Sequence, residues 1–267
     1  MTAMTATETS SPGVASGEPV RRTGKVPLWR LTVVELRKLA DTRAGLWLLI
    51  VIALAGAGTG ALILGFAPES EQTFAEFLQF GLVPASVLLP VLGILSMTGE
   101  WSQRTALTTF ALVPARGRII IAKLLAGVLI AIAATALAAL LAAAGNLLAI
   151  ALGRDGAWHI AGALVWQSVV LEVVFVLMGL GFGALLLNSP LAIVLYFAVP
   201  TLWSVLGEMI KSLHTAATWL DINVTSTPLS EAGMTAGQWG RFGVSVLVWV
   251  AAPLVAGTVR VLRREVS

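Results

Sequence analysis

The stretch GEWSQRTALTTFALVPARGRIIIAK, residues Gly99–Lys123, is a polar and basic interruption between two long apolar runs. From Ser102 to Leu112 it is long enough for about three turns of α-helix. Pro114 then ends this helix, because proline has no N–H to donate and its ring clashes with the preceding turn. The pattern predicts a short helix outside a membrane, held between two spanning helices. Such a loop either only orients the protein or docks a soluble partner.

The apolar character of the flanking runs extends over the whole chain. Of 267 residues, 57% are hydrophobic and 12% are charged, and the mean hydropathy is +0.90. A soluble domain of this length has too little interior to hide so much apolar surface. The sequence therefore predicts an all-α membrane protein. The absence of cysteine excludes disulfides and thiolate metal sites.

Six apolar segments are each long enough to cross a hydrocarbon core of ~30 Å. Their predicted bounds are 46–66, 77–97, 119–152, 160–187, 191–209 and 242–259. Residues 99–118 form the predicted inner loop between the second and third spans, and residues 210–241 form a long outer loop. Residues 1–26 are rich in Thr, Ser, Gly and Pro, which predicts a disordered cytoplasmic tail. The remainder, 27–267, is predicted to be a single transmembrane domain.

The lysine and arginine residues predict the orientation of these spans. If the N-terminus is inside, fourteen of the seventeen cations lie on the inner side, and three lie outside at Arg154, Lys211 and Arg241. Cytoplasmic loops carry the excess of such residues in membrane proteins. Both termini are therefore predicted to be cytoplasmic, in a multi-pass protein of the cytoplasmic (inner) membrane.

A basic amphipathic helix is predicted from Pro27 to Arg43, just before the first span. Its apolar side chains recur at helical spacing along one stripe, and cations such as Arg37 lie off that stripe. The stripe consists of Trp29, Val33, Leu36 and Ala40. A helix of this kind normally lies in the membrane interface, here on the anionic cytoplasmic leaflet. Packing against its own protein would produce the same pattern.

Much of the chemistry that would indicate an enzyme is absent from the sequence. There is no G-x-x-x-x-G-K-[ST] motif, so the chain does not bind ATP through a P-loop. Its two histidines, His159 and His214, form no metal-binding motif. Ser245 loosely resembles a membrane serine nucleophile, but no histidine lies in a span to activate it. We therefore expect a chain that is not itself an enzyme and binds no cofactor or metal.

Glu172 is an ionisable residue near the middle of the fourth predicted span. A charge at this depth is costly, and by default it marks a functional site. It could line a polar cavity for a cationic or amphiphilic substrate, or relay protons. Alternatively, it is a structural glutamate that fixes the helix register. With polar residues nearer the outer end, it defines a candidate substrate path of Asn146, Trp166, Gln167 and Glu172.

Two glycine-rich stretches lie inside predicted spans. Residues 56–60 in the first span and 179–183 in the fourth both have G-x-x-x-G spacing. This spacing allows two helices to approach closely. Each stretch therefore marks either a subunit interface or internal packing.

Several segments together resemble the permease subunit of a bacterial ABC-2 type ABC transporter. LTVVELRKLADTRAGLWLLI, residues 31–50, resembles the amphipathic helix that runs into the first span of that family. GFGALLLNSPLAIVLYFAVP, residues 181–200, resembles its turn between the fourth and fifth spans, and RVLRREV, residues 260–266, its basic C-terminus. The resemblance covers about 28–266.

The inner loop carries the most specific part of this resemblance. The family usually has a Glu, a Thr five residues later, and a Pro followed by a basic pair and a Lys that enters the third span. The corresponding residues here are Glu100, Thr105, Pro114, Arg116, Arg118 and Lys123. The residue before the Thr is usually glycine in the family, whereas this chain has Arg104.

The resemblance implies a mechanism and a set of partners. Two permease chains, identical or homologous, would enclose a route across the membrane, and two separate ATP-binding subunits would bind ATP and Mg on the cytoplasmic side. The helix in the inner loop would be a coupling helix that inserts into the ATPase, and the amphipathic helix would either touch the ATPase as well or transmit its motion. The implied coupling residues are Glu100, Arg104, Thr105, Leu107, Phe110, Ala111, Pro114, Arg116 and Arg118.

The function implied by this resemblance is the membrane-spanning half of an ATP-driven exporter. The spans offer few polar groups, which favours a hydrophobic or amphiphilic substrate. One alternative is a proton-coupled carrier in which Glu172 titrates. Another is a membrane scaffold that recruits a cytosolic ATPase without transport. Nucleic acid is not an expected partner.

Overall fold

The computed structural model describes residues 26–102, 116–154, 156–158, 162–231 and 233–263. Throughout these ranges the regular elements are helices and helical turns, with no strand. Six helices in the described ranges are long and apolar enough to cross a membrane. The prediction of an all-α protein with six candidate spans is therefore confirmed.

The helices follow one another with short connections. Their bounds are α1 Leu28–Asp41, α2 Arg43–Phe66, α3 Phe74–Ser102, α4 Arg116–Ala151, α5 Gly162–Leu186, α6 Ser189–Met209, α7 Lys211–Leu220, α8 Ile222–Ser226, α9 Ala236–Val246 and α10 Ala252–Arg263. A π-helical turn, Leu247–Ala251, joins α9 to α10, so that these three elements form the sixth span. The first five spans are α2, α3, α4, α5 and α6.

The observed spans extend beyond most of the predicted bounds. The largest difference is in the sixth, predicted at 242–259 and observed at Ala236–Arg263. Its start is fixed by a capping box, in which the Thr235 hydroxyl accepts from the Gln238 N–H and the Gln238 side chain accepts from the Thr235 N–H. Hydropathy did not predict this start, because it measures apolar length and not the hydrogen bonds that cap a helix.

Helix α5 lies at the centre of the bundle. It packs against α3 most extensively, and also against α10 and α4, and it is the most buried of the six spans. Its glycines make this packing possible. A Cβ on Gly183 would lie 3.1 Å from the Ile94 carbonyl oxygen, and one on Gly181 would lie 3.1 Å from the Leu254 nitrogen. The glycine stretch at residues 179–183 is therefore used for internal packing.

The glycine stretch in α2 also faces inward in part. A Cβ on Gly56 would lie 3.1 Å from the Gly81 carbonyl oxygen, and one on Gly60 would lie 4.0 Å from the Phe77 ring. Gly58 is on another face, and no described atom lies within 4 Å of a Cβ built there. The two glycines with G-x-x-x-G spacing, Gly56 and Gly60, thus pack α2 against α3.

Helix α1 lies across the end of the bundle where α3 ends and α4 begins, which we call the inner end after the charge-based prediction. It packs on α4, α2 and α3 through a face formed by Thr32, Glu35 and Leu39. Of the predicted apolar stripe, Leu36 is half-buried, but Trp29, Val33 and Ala40 are exposed, with Trp29 63% exposed. Three of the four stripe residues are therefore turned away from the protein, while Leu36 packs against its core, and placement of the stripe in a membrane interface stays a prediction.

The predicted outer loop contains the short helices α7 and α8, which are hydrogen-bonded to the sixth span. The Ser245 hydroxyl donates to the Trp219 carbonyl oxygen at 2.8 Å and accepts from the Thr225 hydroxyl at 2.8 Å. The Trp249 indole N–H donates to the Leu220 carbonyl oxygen at 2.6 Å. Ser245, which resembles a nucleophile in the sequence, thus has its hydroxyl engaged in structural hydrogen bonds.

Candidate functional site

Four charged side chains meet at the inner end and form what we call the ion cluster: Glu35, Lys38, Glu100 and Lys123. Lys123 Nζ lies 2.6 Å from Glu35 Oε2 and 3.2 Å from Glu100 Oε1. Lys38 Nζ lies 2.8 Å from Glu35 Oε1 and 3.0 Å from Glu100 Oε1. Each ammonium therefore contacts both carboxylates, and the four formal charges sum to zero.

The members of the ion cluster differ in their access to solvent. The side chains of Glu35 and Lys123 are each 5% exposed and that of Glu100 is 12% exposed, whereas that of Lys38 is 42% exposed. Lys123 also donates to the Ser96 carbonyl oxygen at 3.0 Å. A buried charge is tolerated only when its hydrogen bonds are made, and Lys123 meets that condition.

Local sequence explains why α1 presents its two charges to the bundle. Glu35 and Lys38 are three residues apart, a spacing that brings their side chains together on one helix face. The chain then turns sharply into α2, where the Thr42 hydroxyl caps the helix by accepting from the Gly45 N–H at 3.2 Å. A Cβ on Gly45 would lie within 2.9 Å of the Leu39 carbonyl carbon. Only glycine therefore fits at position 45, where the chain turns from α1 into α2. This close turn holds α1 against the inner end.

The carboxylates determine the protonation of Lys38. Its partial burial would lower its pKa, but the hydrogen bond and charge of Glu35 and the charge of Glu100 outweigh burial, so the pKa of Lys38 is raised above its usual 10.5. Lys38 is therefore a cation at neutral pH. A raised lysine pKa stabilises the fold at every pH below 10.5, and this contribution is lost as the pH rises through the folded-state pKa.

A cavity of about 380 Å³ lies beside the ion cluster. One wall is formed by the cluster, and much of the remaining lining is apolar. The lining residues are Glu35, Lys38, Leu39, Thr42, Ala44, Gly45, Leu92, Leu95, Ser96, Gly99, Glu100, Lys123 and Ser189. A volume of this size is within the range of small-molecule sites. The cavity is therefore a candidate binding site at the junction of α1, α2, α3, α4 and α6.

Two members of the ion cluster flank the predicted inner loop along the chain. Glu100 is near the end of α3 and Lys123 is in the second turn of α4, so the two residues flank the segment 103–115. Arg116 and Arg118 begin α4, and the Arg118 guanidinium donates to the Val26 carbonyl oxygen. The other residues predicted to couple to an ATPase lie outside the described residues, and their role stays a prediction: Arg104, Thr105, Leu107, Phe110, Ala111 and Pro114.

Three residues of the predicted substrate path lie towards the outer end of the bundle. The Asn146 amide donates to the Gly156 carbonyl oxygen at 3.3 Å. The Trp166 ring stacks on the Trp239 ring with centroids 5.2 Å apart. Gln167 is fully buried, and its amide nitrogen, in the orientation that suits its neighbours, donates to two carbonyl oxygens at 3.1 Å. These side chains hydrogen-bond or stack within the bundle, and none of the three lines the cavity beside the ion cluster.

Glu172, the fourth residue of that path, lies in the middle of α5. It is 1% exposed, and within the described part of the chain neither of its carboxyl oxygens has a hydrogen-bond partner. An unpartnered polar group inside a protein costs more than the average hydrogen bond contributes. We therefore expect the carboxyl of Glu172 to lower the stability of the bundle.

Replacing Glu172 with methionine should raise the stability of the protein by about 1–3 kcal/mol, because it removes two unpartnered oxygens at nearly constant side-chain volume. Glu172→Gln, which keeps a polar group, is the matched control and should give little gain. The thermal unfolding midpoint of the purified protein in detergent measures both. A lower midpoint for Glu172→Met than for the wild type would show that the carboxyl stabilises the fold.

Sequence reasoning named Glu100 and Lys123 but not the ion cluster that joins them, and it did not single out Glu35 at all. Two signals were present. Leu28, Thr32, Glu35 and Leu39 have the same helical spacing as the apolar stripe, displaced by one residue. Lys123 is a single cation inside an otherwise apolar run. Both indicate polar side chains that need a partner within the protein.

Comparison with other proteins adds no further assignment. The chain matches no protein-family model and no curated protein. Within the described residues, no group of His, Asp and Glu side chains could hold a metal ion.

Proposed function

We propose that this chain is the membrane-spanning permease subunit of an ATP-driven exporter of the ABC-2 type. A separate ATP-binding subunit, which holds ATP and Mg, would dock at the inner loop and drive the movement of a hydrophobic or amphiphilic substrate. The observation that carries the proposal is the ion cluster, because it connects α1 with both helices that flank the segment 103–115.

This connection suits the transmission of movement from a partner. A displacement of the loop would move the end of α3 and the start of α4, and the ion cluster would carry α1 with them. Helix α3 also packs extensively against the central helix α5, so the displacement would reach the middle of the bundle. An element with two arrangements, biased by a partner that prefers one of them, is sufficient for switching.

The exposed apolar surface supports a membrane-embedded assembly. Helix α2 is the least buried of the six spans, and its exposed side chains include Leu54 and Leu62. Lipid or a second permease chain would cover this face. The exposed stripe of α1, with Trp29 and Val33, would meet the lipid interface.

Phe110 is the aromatic member of the predicted coupling residues. Changing it to aspartate should prevent productive contact with the ATPase, because a charge would replace an apolar side chain at the proposed contact. The full chain would be co-expressed with a stand-alone P-loop ATPase, sought first in the neighbouring coding sequence. The purified complex would then be assayed for stoichiometry and ATP hydrolysis. We expect Phe110→Asp to reduce ATPase recovery at least tenfold, which corresponds to about 1.4 kcal/mol. Thr215→Asp on the exposed surface of α7 is the control.

The outcomes of this experiment separate the proposed functions. If Phe110→Asp leaves both ATPase binding and transport intact, the loop is not the coupling element. If an ATPase binds but no ligand crosses the membrane in reconstituted vesicles, the chain is a recruiting scaffold and not an exporter.

A proton-coupled carrier is a second candidate, and Glu172 is the observation that favours it. A buried carboxyl without a partner in the middle of a span is typical of a proton-binding site. Substrate uptake driven by a pH gradient without ATP, and abolished in Glu172→Gln, would support this candidate. Uptake that requires ATP and persists in Glu172→Gln would support the exporter.

A further inference from the structure

Two members of the ion cluster that line the cavity, Lys38 and Glu100, can each make a further hydrogen bond. An ammonium group can donate three hydrogen bonds. Lys123 donates to Glu35 and to the Ser96 carbonyl oxygen, and its Nζ lies 3.2 Å from Glu100 Oε1 in an ion pair. Lys38 uses two, to Glu35 and Glu100. Within the described residues, Glu100 accepts through Oε1 and has no partner at Oε2.

The cavity wall therefore offers one cationic donor and one carboxylate oxygen. Lys38 is the accessible member of the cluster, and both it and Glu100 line the cavity. The four charges already balance, so an anion alone would leave a net charge in a partly buried site, which is costly. A ligand that carries one anionic and one cationic group would keep the balance and satisfy both free positions.

The apolar part of the cavity indicates what else the ligand carries. Leu39, Leu92 and Leu95 line the cavity, and α2 leaves it along an exposed apolar surface that begins at Leu46 and Trp47. A volume of about 380 Å³ accommodates a polar headgroup but not two long acyl chains. Acyl chains would therefore run along α2 into the membrane.

We propose that this cavity binds a phospholipid whose headgroup carries a phosphate and a primary ammonium. The phosphate would accept from Lys38, and the ammonium would donate to Glu100. The inference requires only that the chain spans a membrane, and it holds whether or not the chain works with an ATPase.

The proposed contacts predict a selectivity among headgroups. A choline headgroup has the same charges, but its quaternary ammonium has no N–H to donate to Glu100. A glycerol headgroup leaves the lipid with a net negative charge and no cation. Loss of a hydrogen bond to a charged group should weaken binding by about tenfold or more.

The full chain, purified in detergent and stripped of lipid, would be titrated with phosphatidylethanolamine, phosphatidylcholine and phosphatidylglycerol. Native mass spectrometry would then measure the fraction of protein with one bound lipid. We expect phosphatidylethanolamine to bind at least about tenfold more tightly than the other two. Equal affinity for the three lipids would overturn the proposal.

Two variants test the position of the site. Lys38→Gln should weaken the binding of all three phospholipids by about tenfold or more, because the phosphate that they share loses its charged donor. Ala44→Trp should fill the cavity while leaving the ion cluster intact, and Ala61→Trp, at an exposed position of the same helix, is its control. We expect Ala44→Trp to lose phosphatidylethanolamine and Ala61→Trp to retain it. Unchanged binding in Ala44→Trp would place the lipid elsewhere and overturn the proposal.

Glycerophosphoethanolamine tests whether the ligand is a lipid or a soluble compound, because it has the same charged groups as phosphatidylethanolamine and no acyl chains. We expect it to bind much more weakly than phosphatidylethanolamine, because it lacks the apolar contact with α2. Equal affinity for the two would identify a soluble ligand and would overturn the assignment to lipid. None of these measurements needs ATP or transport, so failure here is distinguishable from failure of the proposed exporter function.

Discussion

Lys123→Met should destabilise the protein by about 3–5 kcal/mol, because it leaves the buried carboxylate of Glu35 without its closest partner. Lys123 lies 2.6 Å from Glu35, and both side chains are only 5% exposed. Lys38 alone would then have to neutralise two carboxylates. The unfolding midpoint in detergent, compared with Lys211→Met at an exposed position, measures the effect. The Lys211→Met control should change stability by no more than about 0.5 kcal/mol.

The double variant Glu35→Gln/Lys123→Met separates the pairing of charges from simple packing. It leaves Lys38 beside Glu100, 3.0 Å away, and restores a neutral cluster. We therefore expect it to be more stable than Lys123→Met alone, as is found when both members of a buried pair are replaced. If the loss of stability in the double variant equals the sum of the losses in Glu35→Gln and in Lys123→Met, the two residues act independently. The ion cluster would then not be a unit.

Gly179→Val should be about as destabilising, because a side chain there collides with backbone. A Cβ on Gly179 would lie 2.9 Å from the Cα and the carbonyl carbon of Pro90, and closer still to its oxygen. Backbone atoms cannot rotate out of the way as a side chain can, so α3 and α5 would have to separate. Overpacking costs about 1–3 kcal/mol and more where the neighbour is rigid, and we expect about 3 kcal/mol or more here.

Gly58→Val is the matched control for this collision. It is also a span glycine, but no described atom lies within 4 Å of a Cβ built there. Its effect on the unfolding midpoint should be within about 0.5 kcal/mol. If Gly58→Val destabilised the protein as much as Gly179→Val, loss of a glycine from any span would be the cause, and not the contact with Pro90.

The number and approximate bounds of the spans could be predicted from sequence, because a membrane requires long segments without charge. The six observed helices confirm that reasoning. The π turn at Leu247–Ala251 could not be predicted in the same way. It changes the hydrogen-bond register of the sixth span without changing its hydropathy.

The ion cluster could not be predicted from the sequence, for a different reason. Its members come from α1, α3 and α4, and nothing in local spacing shows that residues 62 and 88 positions apart will meet. The resemblance to ABC-2 permeases assigned Glu100 to the coupling residues. The structure adds that its side chain is mostly buried between Lys38 and Lys123, and its contact with a partner stays a prediction. The sequence predicted the helix α1, but only tertiary packing showed that its polar face turns inward.

The long separation of the charges along the chain has a consequence for biosynthesis. Glu35 and Lys123 are 88 residues apart, so α2 and α3 are synthesised before Lys123 can reach its partner. Until then, the three cluster residues already made are two carboxylates and a single ammonium. A nascent chain that ends before α4 thus has an unbalanced carboxylate at the inner end, and arrival of Lys123 neutralises it. The cluster can therefore close only after the start of the third span has been synthesised.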